Sequence, residues 1–196
     1  MAGGGSLLGI SDELLQEMQS PLVWCGPDSS YGYGLTVTPN WQGGLTIVGH
    51  SGGLKGVSSH IGFIPELRVG AVVLSNLEDQ PADLIWQGAI NTVLDLPVDR
   101  PRYQPETSEV ATADVDALLG EYRSGEPWGR LLVERSAAGG LQVRKGEKAE
   151  LHDAFLVSRS ELAVRGEDQI TYLPILRNAA GAIYGVHLGR RILYRL

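Results

Sequence analysis

The sequence predicts an α+β protein in two parts: a partial antiparallel sheet with flanking helices, followed by a small all-β barrel. Three observations predict it. Residues 54–64 and 69–75 are rich in β-branched and apolar side chains and are separated by Pro65-Glu66-Leu67-Arg68, the pattern of a hairpin. Helix signals stand on either side of these strands in the chain, one after Ser11 and one after Pro81. Beyond residue 113, about eight short apolar runs recur at regular intervals with turn residues between them, as in a small barrel or sandwich.

The elements follow in order. Ser11 precedes Asp12 and Glu13, and Leu14, Leu15 and Met18 then fall at helical spacing before Pro21, so a capped helix is expected there. Residues 31–38 read as a strand, residues 39–44 as a turn, and residues 45–48 as a strand leading into Gly49-His50-Ser51-Gly52-Gly53. After the hairpin, Pro81 suits the first turn of a helix over 81–94. Ile85, Ala89, Ile90, Val93 and Leu94 form its apolar face, and Asp79 and Asp83 lie near its positive end. Prolines at 97, 101 and 105 with few large apolar residues mark an extended linker. The expected organisation is a first domain over 1–96, a Pro-rich linker over 97–113, and a barrel over 114–196. One helical turn at 114–118 opens the barrel, with strands at 119–123, 130–135, 140–144, 154–158, 161–165, 169–176, 182–188 and 191–196.

Composition excludes several functions. With 43% hydrophobic and 20% charged residues, the chain has the balance of a soluble globular protein able to bury one good core or two small ones. No apolar run approaches the roughly 18 residues of a membrane helix, so no membrane span is expected. The start, Met-Ala-Gly-Gly-Gly-Ser, lacks the regions of a signal peptide and reads as a flexible leader, which leaves localisation open. The net charge of −7 is carried by residues 1–106, with four basic against eleven acidic side chains, while residues 107–196 balance at twelve each. Neither half has the basic patch that neutralises phosphates, so nucleic acid is not an expected partner. Cys25 is the only cysteine, which excludes an intrachain disulfide and a cysteine metal site. The histidines at 50, 60, 152 and 187 never fall at helical ligand spacing, so no metal and no cofactor is indicated.

The chemistry centres on the pentapeptide at 49–53. It fits the G-x-S-x-G elbow, which would make Ser51 a nucleophile at a strand-to-helix turn, with His152 or His187 and a carboxylate as partners. It also fits a K-T-G-like box, in which the serine binds substrate from a β-strand. Out of context it is equally a flexible bend. The following residues carry glycines at 56 and 62 and β-branched side chains at 57, 61 and 64, which is poor helix material and good strand material. That context favours the box. Trp24, Tyr31, Tyr33 and Trp41 are candidates to line a cleft, although aromatics more often fill a core.

Residues 31–34, the box and the strand ending at Asn76 together resemble the C-terminal part of the β-lactamase-like serine hydrolases. This family includes class C β-lactamases, penicillin-binding proteins and D-aminopeptidases. The resemblance is most specific at His50-Ser51-Gly52 and the hairpin after it. It implies an antiparallel sheet flanked by helices, with the box beside a catalytic cleft. It further implies that His50 faces the cleft, that Ser51 bonds a substrate carboxylate or carbonyl, that Gly52 lets a substrate approach, and that the Gly53 amide is an oxyanion donor. The second part resembles the lipocalin-like β-domain appended to some of these enzymes, most closely over 182–191.

Two motifs of that family are missing. No serine is followed three residues later by lysine, and no tyrosine or serine is followed two residues later by asparagine. Ser51 and Lys55 are four apart and do not form the first motif. A serine hydroxyl is a weak nucleophile without an adjacent base. The chain is therefore expected to be a fragment or subunit of a serine hydrolase of esters, amides or peptides, inactive alone, so whether it is itself an enzyme stays open. Its expected partners are the missing catalytic segment or a second copy, and the substrate of the complete enzyme. The alternative is a non-catalytic binding or regulatory module that uses the β-domain.

Overall fold

The computed structural model describes residues 9–126, 129–146, 150–166, 170–189 and 191–196, so the leader at 1–8, Gln169 and Arg190 lie outside the described residues. The chain divides into two compact units. One comprises residues 1–24 and 28–104, the other residues 25–27 and 105–196.

The first unit opens with helix α1, Asp12–Met18, whose N-cap Ser11 accepts a hydrogen bond from the Leu14 amide at 3.2 Å. Six strands follow: β1 (Val23–Gly26), which runs across the division at residue 24, β2 (Ser29–Tyr31), β3 (Thr36–Trp41), β4 (Leu45–Leu54), β5 (Val57–Ile64) and β6 (Val69–Ser75). They lie side by side in chain order. The strand expected over 31–38 is instead broken between β2 and β3. Gly34, at φ +78°, makes the reversal, and the Gly32 amide donates to the Leu35 carbonyl at 2.8 Å. The pentapeptide lies wholly within β4, which turns at Lys55-Gly56 into β5 with Leu54 opposite Val57. The turn expected between β5 and β6 is present, closed by the Arg68 amide on the Pro65 carbonyl at 3.2 Å.

Helix α2, Ala82–Val93, covers one face of this sheet. Its Trp86 and Ile90 are buried with Trp41, Ile47 and Ile64. Trp86 Nε1 donates to the carbonyls of Gly62 and Ala71 at 3.2 and 3.1 Å, which satisfies the one polar atom of a buried indole. The expected partial sheet with flanking helices is corrected here: the sheet is a full six-stranded antiparallel meander, and the chain is predominantly strand. Helix α1 fails as a flanking layer because none of its residues is buried, and Leu14 is 52% exposed. On the face of β5 and β6 opposite α2, Ile61, Val72 and Leu74 are 53%, 59% and 81% exposed.

The second unit starts with helix α3, Thr112–Leu118. Its Asp114 carboxylate holds Arg159 at 3.0 Å and Arg177 at 3.1 Å. Strands β7 (Gly120–Arg123), β8 (Arg130–Arg135), β9 (Leu141–Lys145), β10 (Leu151–Ser158), β11 (Glu161–Arg165), β12 (Ile170–Arg177), β13 (Ile183–Leu188) and β14 (Arg191–Arg195) form a closed β-barrel. Pairing of β14 with β7, Tyr194 opposite Arg123, closes the ring and removes the edges. Eight strands leave an interior that side chains can fill. Leu131, Val133, Val143, Leu162, Leu173, Val186 and Leu193 fill it here, together with Tyr122, whose hydroxyl donates to the Leu118 carbonyl at 2.7 Å. Among the described residues, no helix is long and apolar enough to cross a membrane.

Candidate functional site

Strand β4 carries all four candidate residues, and its geometry separates them. Successive side chains of a strand point to opposite faces, so His50 and Ser51 cannot share one. His50 lies on the face away from α2, where its Nε2 meets the Tyr31 hydroxyl at 3.0 Å, with the rings edge-to-face at 6.0 Å. Ser51 lies on the α2 face, and its Oγ meets Nδ1 of His60 at 2.9 Å. His50 and Ser51 therefore belong to two dyads, one on each face.

His60 is the residue that reading the motif missed. It pairs directly with Ser51 across β4 and β5, and it is buried with its ring 5.1 Å from that of Trp86. Burial pushes its pKa below the ordinary imidazole value. Asp83 opposes this shift, and Arg102 and His50 add to it. Two close approaches hold the arrangement. A Cβ on Gly49 would come within 2.6 Å of the Ile61 carbonyl and 3.3 Å of His60 Nε2, and a Cβ on Gly62 would come within 2.6 Å of the Trp86 ring. A signal for His60 was present in the sequence. A two-residue turn at Lys55-Gly56 sets Leu54 against Val57 and so, three steps back, Ser51 against His60.

The strand edge is the second feature of the site. Pairing of β3 with β4 runs only as far as Thr36 opposite Gly49, whereas β5 pairs with β4 from Val48 to Leu54. Among the described residues, no strand pairs with residues 51–54 on the β3 side, and all four are exposed. Ser51 and Gly53 send their amides to the same edge because they are two apart. At Gly52 the position of a Cβ is met by Ser59 Oγ at 2.6 Å, while Gly53 has nothing closer than 4.0 Å. A depression of about 310 Å³ beside Gly53 is lined by Lys55, Ser58, Glu78 and Asp79 among others.

The aromatic candidates divide. Trp41 is buried in the core, Trp24 and Tyr33 are 47% and 56% exposed, and Tyr31 meets His50. His152 and His187, considered as partners of Ser51, lie on β10 and β13 of the barrel. Among the described residues, no group of three or more His, Cys, Asp or Glu side chains could hold a metal ion.

No family model and no curated protein matches the chain. Among solved structures, the fold is similar to SurE with D-Leu, with a TM-score of 0.65 at 20% identity over 95% of this chain and 44% of that chain. A second SurE structure matches at 0.65 and 21% identity, covering 95% and 42%. An octameric penicillin-binding protein homologue from Pyrococcus abyssi matches at 20% identity over 95% and 42%, with a TM-score of only 0.45. The resemblance to β-lactamase-like serine hydrolases is corrected by these findings. Its penicillin-binding counterpart falls below the level of a shared fold, no family model supports it, and a three-residue box in a hairpin is too short to carry it. What the chain shares is the fold of SurE, and it spans less than half the length of those chains.

Proposed function

We propose that this chain is part of a serine hydrolase acting on an ester, amide or peptide bond. Strand β4 is one wall of the substrate site, and the nucleophile comes from sequence outside the chain. The observation that carries this reading is the exposed edge over residues 51–54, where β3 has ended and an extended substrate can pair with backbone amides. The Gly53 amide is then available as an oxyanion donor, and removing one such donor from a complete site costs roughly a hundredfold or more in rate. The exposed face bearing Ile61, Val72 and Leu74 supports a nucleophile carried elsewhere, because it suits a covering segment or a second copy. One SurE structure holds D-Leu, which makes amino-acid esters and amides the first substrates to try.

The test is hydrolysis of a p-nitrophenyl ester and of D-leucine p-nitroanilide by the purified chain. The expected result is no turnover by the chain alone and turnover when a segment carrying the nucleophile is added. Clear turnover by the chain alone would overturn the proposal. One observation favours a second reading, the 2.9 Å contact of Ser51 Oγ with His60 Nδ1, which has the reach of a nucleophile and its base. Labelling of Ser51 by a fluorophosphonate, lost in His60→Asn, would establish that reading in place of the first. The barrel interior, filled by its own side chains, does not favour a ligand-binding module.

A further inference from the structure

Strand register sets Ser51 opposite His60, the serine exposed and the histidine buried, with Ser51 Oγ 2.9 Å from His60 Nδ1. A serine hydroxyl has one proton and two lone pairs, so it donates to one partner at a time. We propose that His60 is a positioning residue for Ser51: its Nδ1 accepts a hydrogen bond from the hydroxyl, so that Ser51 Oγ meets the substrate as an acceptor and selects an ammonium or N–H group over a carboxylate. This inference rests on the reading of β4 as a substrate wall, and it reverses the partner first expected for Ser51.

The geometry defines the imidazole from each side. Trp86 of α2 packs at 5.1 Å from its ring, and the space kept by Gly49 of β4 admits Nε2. Val73 of β6 stands opposite His60 in the sheet and adds no polar group. The charged and titratable neighbours that act on the ring are Asp83 of α2, Arg102 of the segment after it, and His50 of β4. Burial outweighs the favourable field of Asp83, which keeps the ring neutral where a solvent-exposed imidazole begins to protonate. With the neutral ring's proton on Nε2, Nδ1 keeps a lone pair and accepts the hydrogen bond of the serine hydroxyl. Once the ring is protonated, Nδ1–H donates to Ser51 instead, and the hydroxyl is released to donate to a carboxylate or carbonyl. The polarity of the site therefore reverses on the acid side of the ordinary imidazole range.

Long-range ¹H–¹⁵N spectra of the full chain read this directly. At neutral pH the expected result is His60 protonated at Nε2 only, with an Nδ1 signal that shifts in Ser51→Ala. A ring protonated at Nδ1, or an Nδ1 signal indifferent to Ser51→Ala, would overturn the inference. In a second arm, the amide signals of Ser51, Gly52 and Gly53 are followed during titration with glycinamide, which carries N–H groups and no carboxylate, and with methoxyacetate, which carries the reverse. Saturable shifts with glycinamide but not methoxyacetate at neutral pH, reversing once His60 protonates, support the inference. His60→Asn offers an acceptor that does not titrate and should keep the glycinamide preference at both pH values. Preference for methoxyacetate at neutral pH overturns the inference. No response to either probe removes the β4 substrate wall and the selectivity built on it, an outcome recognisable because the tautomer result does not depend on a ligand.

Discussion

His60 couples the candidate site to stability because its charge state differs between folded and unfolded chains. Its folded pKa is depressed by burial below the ordinary value of 6.5, so between the two values the unfolded chain binds more protons. The stabilisation from keeping it neutral is complete above the unfolded pKa and is lost as pH falls through 6.5 toward the folded value. His187, buried in the barrel, shifts the same way for the same reason and adds to the loss. Urea unfolding at a series of pH values should therefore show stability falling on acidification below 6.5, with a shallower fall in His60→Asn. At Gly62, the Cβ of an alanine would stand 2.6 Å from the Trp86 ring. Gly62→Ala should destabilise by about 1–3 kcal/mol in urea unfolding, the cost typical of overpacking.

Helix α2 and helix α1 make opposite predictions at the scale of elements. Trp86 of α2 joins β5 and β6 through two hydrogen bonds and fills the space under His60. Trp86→Ala should cost about 3–5 kcal/mol, the range for a large aromatic removed from a core. Leu14 of α1 is 52% exposed in a helix with no buried residue, so Leu14→Ser should stay within about 0.5 kcal/mol of the parent. The same urea series checks both. Amphipathic spacing made each helix legible, because Leu14, Leu15 and Met18 fall at helical intervals as readily as Ile85, Ala89 and Ile90 do. Spacing did not say which helix would find a face to cover. The break between β2 and β3 was missed because Tyr31, Tyr33 and Val37 read as one alternating strand, and only the reversal at Gly34 divides it.

The first unit leaves Ile61, Val72 and Leu74 exposed on one sheet face. Contiguous apolar surface of this kind favours association. Sedimentation velocity should show concentration-dependent association that weakens in Leu74→Ser, with stability unchanged to within about 0.5 kcal/mol. The barrel was legible because its short runs alternate apolar and polar residues between turn residues, and period-2 alternation with regular turns leaves few other ways to bury one face. Leu131 with Val133 and Leu141 with Val143 are the inward pairs that such alternation demands. By itself the sequence determined the barrel strands, the capped helix and the hairpin after the box, because each is written in neighbouring residues. Only the tertiary structure decided that His50 and Ser51 face opposite ways, that Ser51 meets His60, and that α2 rather than α1 covers the sheet. Those facts depend on strand register and on which surfaces find a partner, and both are settled between residues far apart in the chain.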